Sequence, residues 1–350
     1  MNANTKNNKE FLDLATYAFH KPKTKERAKA FDKLLEFSTP YGHYENQRLT
    51  SMVIDSHFNV YWKNQEVKTS GIGYVASYPE FRGNGAIRQL MTKSLRDNYE
   101  KGVIFSYLAP FSYAFYEKFG YHYAFNQKHY RLAAQDFPKG KRSAGEISRE
   151  KFEFDDENAS EFSVSKNTAL FKVLTEVHQK ADNQGSLIRS PELWSYFFSF
   201  KSQPHCAIYR ENSKALGYLL YEFSEMTFVI KELITLTDEA KQAFYRFISS
   251  HAGSFSEISW QAPSDTLLEE ELTEPQRAEI KLVPYMQARI VNLQEFLKVH
   301  GQSDFSVEIT DEIIPENNIS LGEGKREKMT IGQFTAKILK ENQAILREYF

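Results

Sequence analysis

The segment that most constrains the fold is a glycine-rich turn between a predicted strand and a predicted helix. The apolar run 71–77 favours a buried strand that Pro79 ends, and residues 85–100 repeat apolar side chains at helical spacing. Glycines let a backbone approach phosphates closely, and free N–H groups at a helix start attract anions. The turn therefore predicts a pyrophosphate site, although a plain strand-to-helix connection could share this local sequence. It comprises Arg82, Gly83, Asn84, Gly85 and Ala86.

Two better-known phosphate motifs do not fit this turn. A dinucleotide-binding fingerprint needs a third glycine at the position that Arg88 occupies. A Walker A loop needs a Gly-Lys-Ser/Thr sequence, which the turn also lacks.

A strand–helix–strand pattern occurs twice in the chain. In each copy the strand after the helix ends at an Ala-Pro pair, at 109–110 and at 262–263. In the second copy a helix is predicted at 238–250, between strands at 228–234 and 257–261. This repetition predicts two copies of one α/β module. Because the second copy has no glycine-rich turn, we expect it to keep the fold and to lack the phosphate site.

Composition narrows the functional class. The net charge of −2, from 44 basic and 46 acidic residues, gives no basic excess for nucleic acid. The nine histidines show no metal-ligand spacing. The lone cysteine, Cys206, lies in an apolar run and predicts a buried structural thiol. No secretory signal and no run of roughly 18 apolar residues is present, so we expect a cytoplasmic protein without membrane contact.

The segment 73–131 resembles a known family. Residues 73–85 are similar to motif A of the GNAT acetyltransferases, Arg/Gln-x-x-Gly-x-Gly/Ala, with Ile87 as a departure at its last position. Together with residues 106–111 and 115–121 they resemble the Eis-like ("enhanced intracellular survival") acetyltransferases. The family's motif A also tends to an aliphatic residue at the position of Ile87.

The resemblance continues along the chain. Residues 189–194 and 217–219 look like that family's second, degenerate GNAT domain, and residues 286–291 look like the start of its sterol-carrier-protein-like third domain. The implied fold class is α/β (α+β), with two tandem GNAT-fold domains and a small α+β C-terminal domain. The implied domains are 1–135, 136–283 and 284–350, and the last is shorter than the family leads us to expect.

The resemblance implies acetyl-CoA as cosubstrate and no metal. A splayed strand with free N–H groups at Val75 to Ser77 would stabilise the developing oxyanion. The implied coenzyme-binding residues are Val75, Ala76, Ser77, Arg82, Gly83, Asn84, Gly85, Ala86, Ile87, Arg88, Phe111 and Ser112.

Two catalytic residues are implied in the same way. Tyr116 would be the general acid that protonates the leaving thiolate, although its aromatic neighbours also suit a core position. The α-carboxylate of Phe350 would be the base. Such a carboxylate has a pKa of about 3.5 in water, so it needs burial or a bridging water to act as a base. The alternative is a C-terminus that is frayed and has no catalytic role.

The resemblance also implies the partners. The acceptor would be a small-molecule primary amine, with polyamine-like or aminoglycoside-like cations as examples, and the protein would be a homo-oligomer, a hexamer in the family. Two other functions stay open. One is a lipid- or ligand-binding module with a silent GNAT site, and the other is an N-acetyltransferase acting on a protein or peptide.

Overall fold

The computed structural model describes residues 3–153, 165–181, 184–200, 204–301 and 305–347. The chain forms two compact units. The first unit comprises residues 1–125 and 285–344, and the second comprises residues 126–284 and 345–350. Residues 285–344 belong to the same compact unit as the first 125 residues. The division into three domains that the sequence predicts stays a prediction.

The secondary-structure elements are numbered in chain order. The strands are β1 (Ser38–Glu45), β2 (Arg48–Trp62), β3 (Gln65–Ser77), β4 (Phe105–Leu108), β5 (His122–Ala133), β6 (Glu146–Glu150), β7 (His205–Glu211), β8 (Lys214–Ser224), β9 (Thr227–Thr235), β10 (Glu257–Pro263), β11 (Glu279–Ile290), β12 (Val307–Thr310), β13 (Ile319–Leu321) and β14 (Glu327–Thr330). The α-helices are α1 (Ala3–Ala18), α2 (Lys25–Glu36), α3 (Ala86–Glu100), α4 (Tyr113–Glu117), α5 (Thr168–Lys180), α6 (Pro191–Phe200), α7 (Asp238–Ser249), α8 (Leu293–His300) and α9 (Ile331–Glu341).

The sheet of the first unit has the order β1-β2-β3-β4-β11. Strands β1, β2 and β3 are antiparallel neighbours, and β4 is parallel to β3 because α3 connects the two. Strand β11 is antiparallel to β4 and adds the last position. The apolar face of α3 buries Leu90, Met91 and Leu95 in the core of this unit, which is the amphipathic packing that its sequence spacing predicts.

Strand β3 has a bulge where it leaves β4. Residues Met52 and Ile54 of β2 lie opposite Ala76 and Gly73, so two residues of β3, Tyr74 and Val75, share one partner position. Tyr74 has a φ of 50°, in the left-handed region. The pairing between β3 and β4 ends with Ile72 and Leu108, so the end of β3 has one paired side and one open side in the described part of the chain.

A buried carboxylate ties α3 to this sheet. Asp55 of β2 accepts hydrogen bonds from Ser70 Oγ of β3 (2.6 Å), Ser94 Oγ (2.8 Å) and Asn98 Nδ2 (2.6 Å) of α3. All four side chains are buried. A buried carboxylate is tolerated where its lone pairs are satisfied, and here the partners fix the helix that follows the glycine-rich turn.

The sheet of the second unit has the order β5-β10-β9-β8-β7-β6. Its neighbours are antiparallel except β9 and β10, which are parallel and joined by α7. One face packs on α7 and the other on α5 and α6. Cys206 of β7 is buried in the second of these cores, and burial raises the pKa of its thiol well above the ordinary value. The structure thus places Cys206 as a core side chain.

Some local predictions differ from the structure. The apolar spacing over 9–38 predicts a single helix, but the structure has two, because α1 ends at Ala18 and the side chain of Thr24 caps α2 by accepting from Arg27 N. The polar and charged composition of 135–165 predicts a linker, but this segment contains the strand β6. Helices α5 and α6 lie in a region without a predicted element.

Candidate active site

A cleft of about 780 Å³ in the first unit brings the predicted coenzyme-binding residues together. Residues 75–77 of β3, the turn residues 82–88 and Phe111 all line it. Ser112 lies outside the lining, and its side chain caps α4 by accepting from Phe115 N. The cleft also has lining residues that the sequence did not single out, namely Ala18, Phe19, Phe81, Phe115, Lys118 and Phe119.

The glycine-rich turn has the geometry of an anion cradle. Gly83 and Gly85 have φ values of 83° and 84°, which L side chains rarely adopt, and a Cβ at either would meet no atom within 4 Å. Asn84 Oδ1 accepts from Ala86 N at 3.0 Å. The next two N–H groups, those of Ile87 and Arg88, have no acceptor among the residues that the structure describes. The turn therefore offers free donors beside open space, which fits a pyrophosphate.

The end of β3 offers further donors along the same cleft. Tyr78 N donates to Thr50 O at 3.0 Å, and Ala76 lies opposite Met52. Antiparallel pairs alternate between bonded and non-bonded positions, so Ala76 faces β2 and the N–H group of Ser77 faces away from it, on the open side of β3. Val75 belongs to the bulge, where this alternation is interrupted, and it lines the cleft beside Ser77.

The cleft suits an anionic ligand. Its basic side chains are Arg82, Arg88 and Lys118, and no Asp or Glu is among its lining residues in the described part of the chain. Its apolar side chains are mostly aromatic, and Phe111 is 71% exposed. Acetyl-CoA combines a pyrophosphate and a ribose phosphate with a partly apolar pantetheine arm, so free N–H groups, cations and aromatic rings match its parts.

The comparisons with known proteins agree with this geometry. Two family profiles, both described as acetyltransferase (GNAT) domain, match the sequence over residues 2–124 and 185–290. A crystal structure from Enterococcus faecalis V583, described as a conserved protein of unknown function and probable N-acyltransferase, shares 31% identity, covers 99% of this chain and 97% of its own, and gives a TM-score of 0.84. The chain belongs to the GNAT acetyltransferases.

Two further solved structures are similar to this GNAT acetyltransferase in fold. A GCN5-related N-acetyltransferase from Anabaena variabilis ATCC 29413 is 19% identical, with 98% of this chain and 92% of that chain covered and a TM-score of 0.78. Eis1 from Mycobacterium abscessus is 17% identical, with 99% and 92% covered and a TM-score of 0.72. The prediction of two GNAT domains in an Eis-like fold is confirmed, and the sterol-carrier-protein-like third domain stays a prediction. No curated protein matches the sequence.

Tyr116 of this acetyltransferase lies directly behind the cleft. Its ring is 3% exposed and packs edge-to-face against Phe111 and Phe115, with centroids 5.3 and 5.0 Å away. Burial raises the pKa of its hydroxyl well above the ordinary value. The phenol is therefore protonated at neutral pH, as an acid must be before it acts. Tyr116 is not among the cleft-lining residues, and its role as acid stays a prediction.

Phe350 lies outside the described residues, so its role also stays a prediction. The chain before it is described as far as Arg347 and pairs within the second unit. Ile345 N donates to Gln184 O at 2.7 Å, and Ser186 Oγ donates to Ile345 O at 2.7 Å. The guanidinium of Arg347 lies 2.9 Å from the carboxylate of Asp265.

Two kinds of site do not occur in the residues that the structure describes. No group of three His, Cys, Asp or Glu side chains is arranged to hold a metal ion. No α-helix there is long and apolar enough to cross a membrane.

The lining residues that the sequence does not assign to the coenzyme have two origins. Phe115, Lys118 and Phe119 are spaced at i, i+3 and i+4, which places them on one face of the short helix α4 and the turn after it. That spacing could have identified them. Phe19 follows α1 and contacts Tyr74 edge-to-face at 5.6 Å, and no local pattern indicates this long-range contact.

Proposed function

We propose that this protein transfers the acetyl group of acetyl-CoA to a primary amine by direct attack of the amine on the thioester. The observation that carries the proposal is the open start of α3, where Gly83 and Gly85 leave the N–H groups of Ile87 and Arg88 free. In the same cleft, the open edge of β3 supplies the N–H group of Ser77, and Val75 of the adjoining bulge is the second proposed donor.

Each part of the cleft has one task in this proposal. The turn, with Arg82 and Arg88, holds the pyrophosphate by charge-assisted hydrogen bonds. The N–H groups of Val75 and Ser77 stabilise negative charge on the thioester oxygen during attack. Phe111 packs against the pantetheine arm. Acetyl-CoA supplies the thioester, whose thiolate leaves with a proton.

Tyr116 is the proposed source of that proton. The ring of this buried, protonated phenol packs directly against the rings of the lining residues Phe111 and Phe115. The attacking amine must lose its own proton, and the α-carboxylate of Phe350 is the proposed base, directly or through a water. Cys206 has no part in the reaction, because its buried thiol is not ionised.

The acceptor is proposed as a small primary amine. Polyamines and aminoglycosides are candidates by family resemblance. The first-unit cleft has no carboxylate among its described lining residues, so this lining does not by itself select for several ammonium groups. A test panel therefore needs monoamines, polyamines and aminoglycosides side by side. We also propose a homo-oligomer, with a hexamer as in the family that the sequence resembles.

The test is release of CoA with that panel, for the unmodified protein, for Tyr116→Phe and for deletion of Phe350. We expect Tyr116→Phe to lower kcat by about 100-fold, the usual worth of general acid catalysis, without a change in KM for acetyl-CoA. Tyr121→Phe is the matched control, since it removes an equally buried phenol, one that hydrogen-bonds Ser106 at 2.7 Å, and it should keep kcat within about 3-fold.

Full activity of both Tyr116→Phe and the Phe350 deletion would overturn the catalytic assignments. No turnover with any amine, together with co-purified lipid, would favour the silent binding module. Acetylated peptides in a mass-spectrometric screen, with no small-molecule product, would favour a protein N-acetyltransferase.

A further inference from the structure

Two side chains of β11 hold the helix that carries Tyr116, one at each end. Gln287 Nε2 donates to the carbonyl oxygen of Tyr113, the first residue of α4, at 3.2 Å. Arg289 Nη1 donates to the carbonyl oxygen of Phe119, in the turn that follows α4. Alternate residues of a strand lie on one face, so Gln287 and Arg289 reach α4 together. Both side chains are completely buried.

The Arg289 guanidinium is itself fixed on its other side. Its Nη2 group is ion-paired with Asp311, which is also completely buried. The Asp311 carboxylate accepts from the backbone N–H groups of Ile313 and Ile314 at 3.0 and 3.1 Å, and from Asn317 Nδ2 at 2.8 Å. A planar guanidinium can bridge a carbonyl and a carboxylate at once, and a lysine ammonium cannot copy this geometry.

The turn that follows α4 is closely packed, with Arg289 on one side and α9 on another. Gly120 has a φ of 76°, and a Cβ there would lie 2.8 Å from Arg289 Nη1 and 2.9 Å from Ile331 Cγ2. A Cβ on Gly332 of α9 would lie 2.6 Å from the carbonyl oxygen of Gly120. The backbone of α9 and the guanidinium therefore leave the turn little room to move.

We propose that Gln287 and Arg289 are positioning residues for acyl transfer, which fix α4 at both ends and thereby direct the hydroxyl of Tyr116 toward the cleft. This inference rests on the proposed function, in which Tyr116 is the acid. It gives the segment 285–344 a part in catalysis without contact with either substrate. Coenzyme binding depends on the turn 82–88 and on β3. Loss of the positioning role should therefore lower kcat and leave KM for acetyl-CoA unchanged.

The experiment compares Arg289→Lys and Gln287→Met with the unmodified protein. Arg289→Lys keeps a positive charge beside Asp311 but loses the guanidinium group that also donates to the carbonyl oxygen of Phe119. Gln287→Met keeps the side-chain volume but loses the hydrogen bond to the carbonyl oxygen of Tyr113. We expect each to lower kcat by about 10-fold, because small errors in the position of a catalytic group are costly. KM for acetyl-CoA should stay within about 2-fold. A merely structural role would not produce this split.

Two controls match these variants. Arg189→Lys weakens the buried ion pair of the second unit, between Arg189 and Glu232 (2.6 Å), so it should lower the melting temperature with kcat unchanged. Gly332→Ala deletes no polar group and pushes α9 against the turn that follows α4, so it should lower kcat as Arg289→Lys and Gln287→Met do. If Arg289→Lys does not fold, the kcat of Gln287→Met tests the positioning role, since this substitution removes no charge.

The outcomes separate the two proposals. If Tyr116→Phe loses activity while folded Gln287→Met and Arg289→Lys both keep kcat, the positioning role is wrong and the proposed function stands. If Tyr116→Phe keeps full activity, the acid role is wrong and the positioning role is wrong with it. A rise in KM for acetyl-CoA with unchanged kcat would also overturn the positioning role.

Discussion

The two units contain the same strand–helix–strand segment with different helix starts. In β3–α3–β4 the helix begins after Gly83 and Gly85, both with left-handed φ, and two N–H groups stay free in the described structure. In β9–α7–β10 the hydroxyl of Thr237 accepts from Ala240 N at 3.1 Å. The N–H groups of Asp238 and Glu239 also have no acceptor in the described structure, but the carboxylates of these two residues lie in the first turn of α7 and repel an anion there. The fold therefore does not need the glycine-rich turn, whereas the coenzyme site does.

Both segments have a bulge in their first strand, and in both the two parallel strands stop pairing close to that bulge. In the second unit Leu220 and Tyr221 lie opposite Glu232 and Ile230, so β9 carries an extra residue at Lys231. The pairing of β9 with β10 ends at Ile230, next to that bulge, as the pairing of β3 with β4 ends near Tyr74. The open strand edge is thus part of the module. The first unit differs in its two left-handed glycines and in a first helical turn without a carboxylate.

The largest effect is expected from filling the glycine-rich start of α3. Gly85→Val places a β-branched residue at a φ of 84° and directs its methyl groups into the open space of the cradle. We expect acetyl-CoA to bind about 100-fold more weakly, because two charge-assisted hydrogen bonds are worth about 3 kcal/mol or more. Isothermal titration calorimetry measures this. Gly253→Val is the control, since Gly253 also has open space and no left-handed φ. Unchanged affinity in Gly85→Val would refute the cradle.

The second prediction concerns acid sensitivity in the second unit. His178 of α5 is completely buried, and burial lowers its pKa well below the ordinary value. The unfolded chain then binds one more proton below pH about 6.5, so stability falls as the pH drops, by up to about 1.4 kcal/mol per pH unit. Urea unfolding at pH 7.5, 6.5 and 5.5 should show this decline, and His178→Gln should flatten it. An equally steep decline in the variant would contradict the assignment.

The third prediction tests the capped helix. Thr237→Ala removes the acceptor for Ala240 N and should lower the free energy of unfolding by about 1 kcal/mol, measured by denaturant titration. Thr237→Ser should restore most of it. The affinity for acetyl-CoA should not change in either variant, and a loss of affinity would mean that the second segment also takes part in coenzyme binding.

The smallest effect is expected from a single exposed cation. Lys118 is available to an anion in the cleft, whereas Lys241 of α7 is ion-paired with Asp238 at 3.0 Å and with Glu271 at 2.6 Å. Lys118→Gln should raise KM for acetyl-CoA by about 3-fold at low ionic strength and less in 0.5 M salt, because exposed charge interactions are screened. Lys241→Gln should leave KM unchanged. Equal effects of the two substitutions would remove this distinction between the units.

Local sequence predicts the features that depend on local physics. The turn at 82–88 and both strand–helix–strand segments are marked by glycine, helical periodicity and Ala-Pro stops, all within short windows. Other features depend on distant residues. Phe19 reaches Tyr74 across the first unit, and Arg289 reaches Phe119 from 170 positions away. Strand β6 has a polar sequence, and its pairing with β7 determines its conformation.

The burial of Cys206 has a practical consequence for measuring this reaction. The chain has one cysteine, and its thiol is both enclosed and held in the protonated form. A thiol-reactive dye added to the folded protein during turnover will therefore report the free CoA that is released, with little background from the protein. The same dye will react with the polypeptide once it unfolds, so a single reagent can distinguish a variant that has lost catalysis from one that has lost its structure.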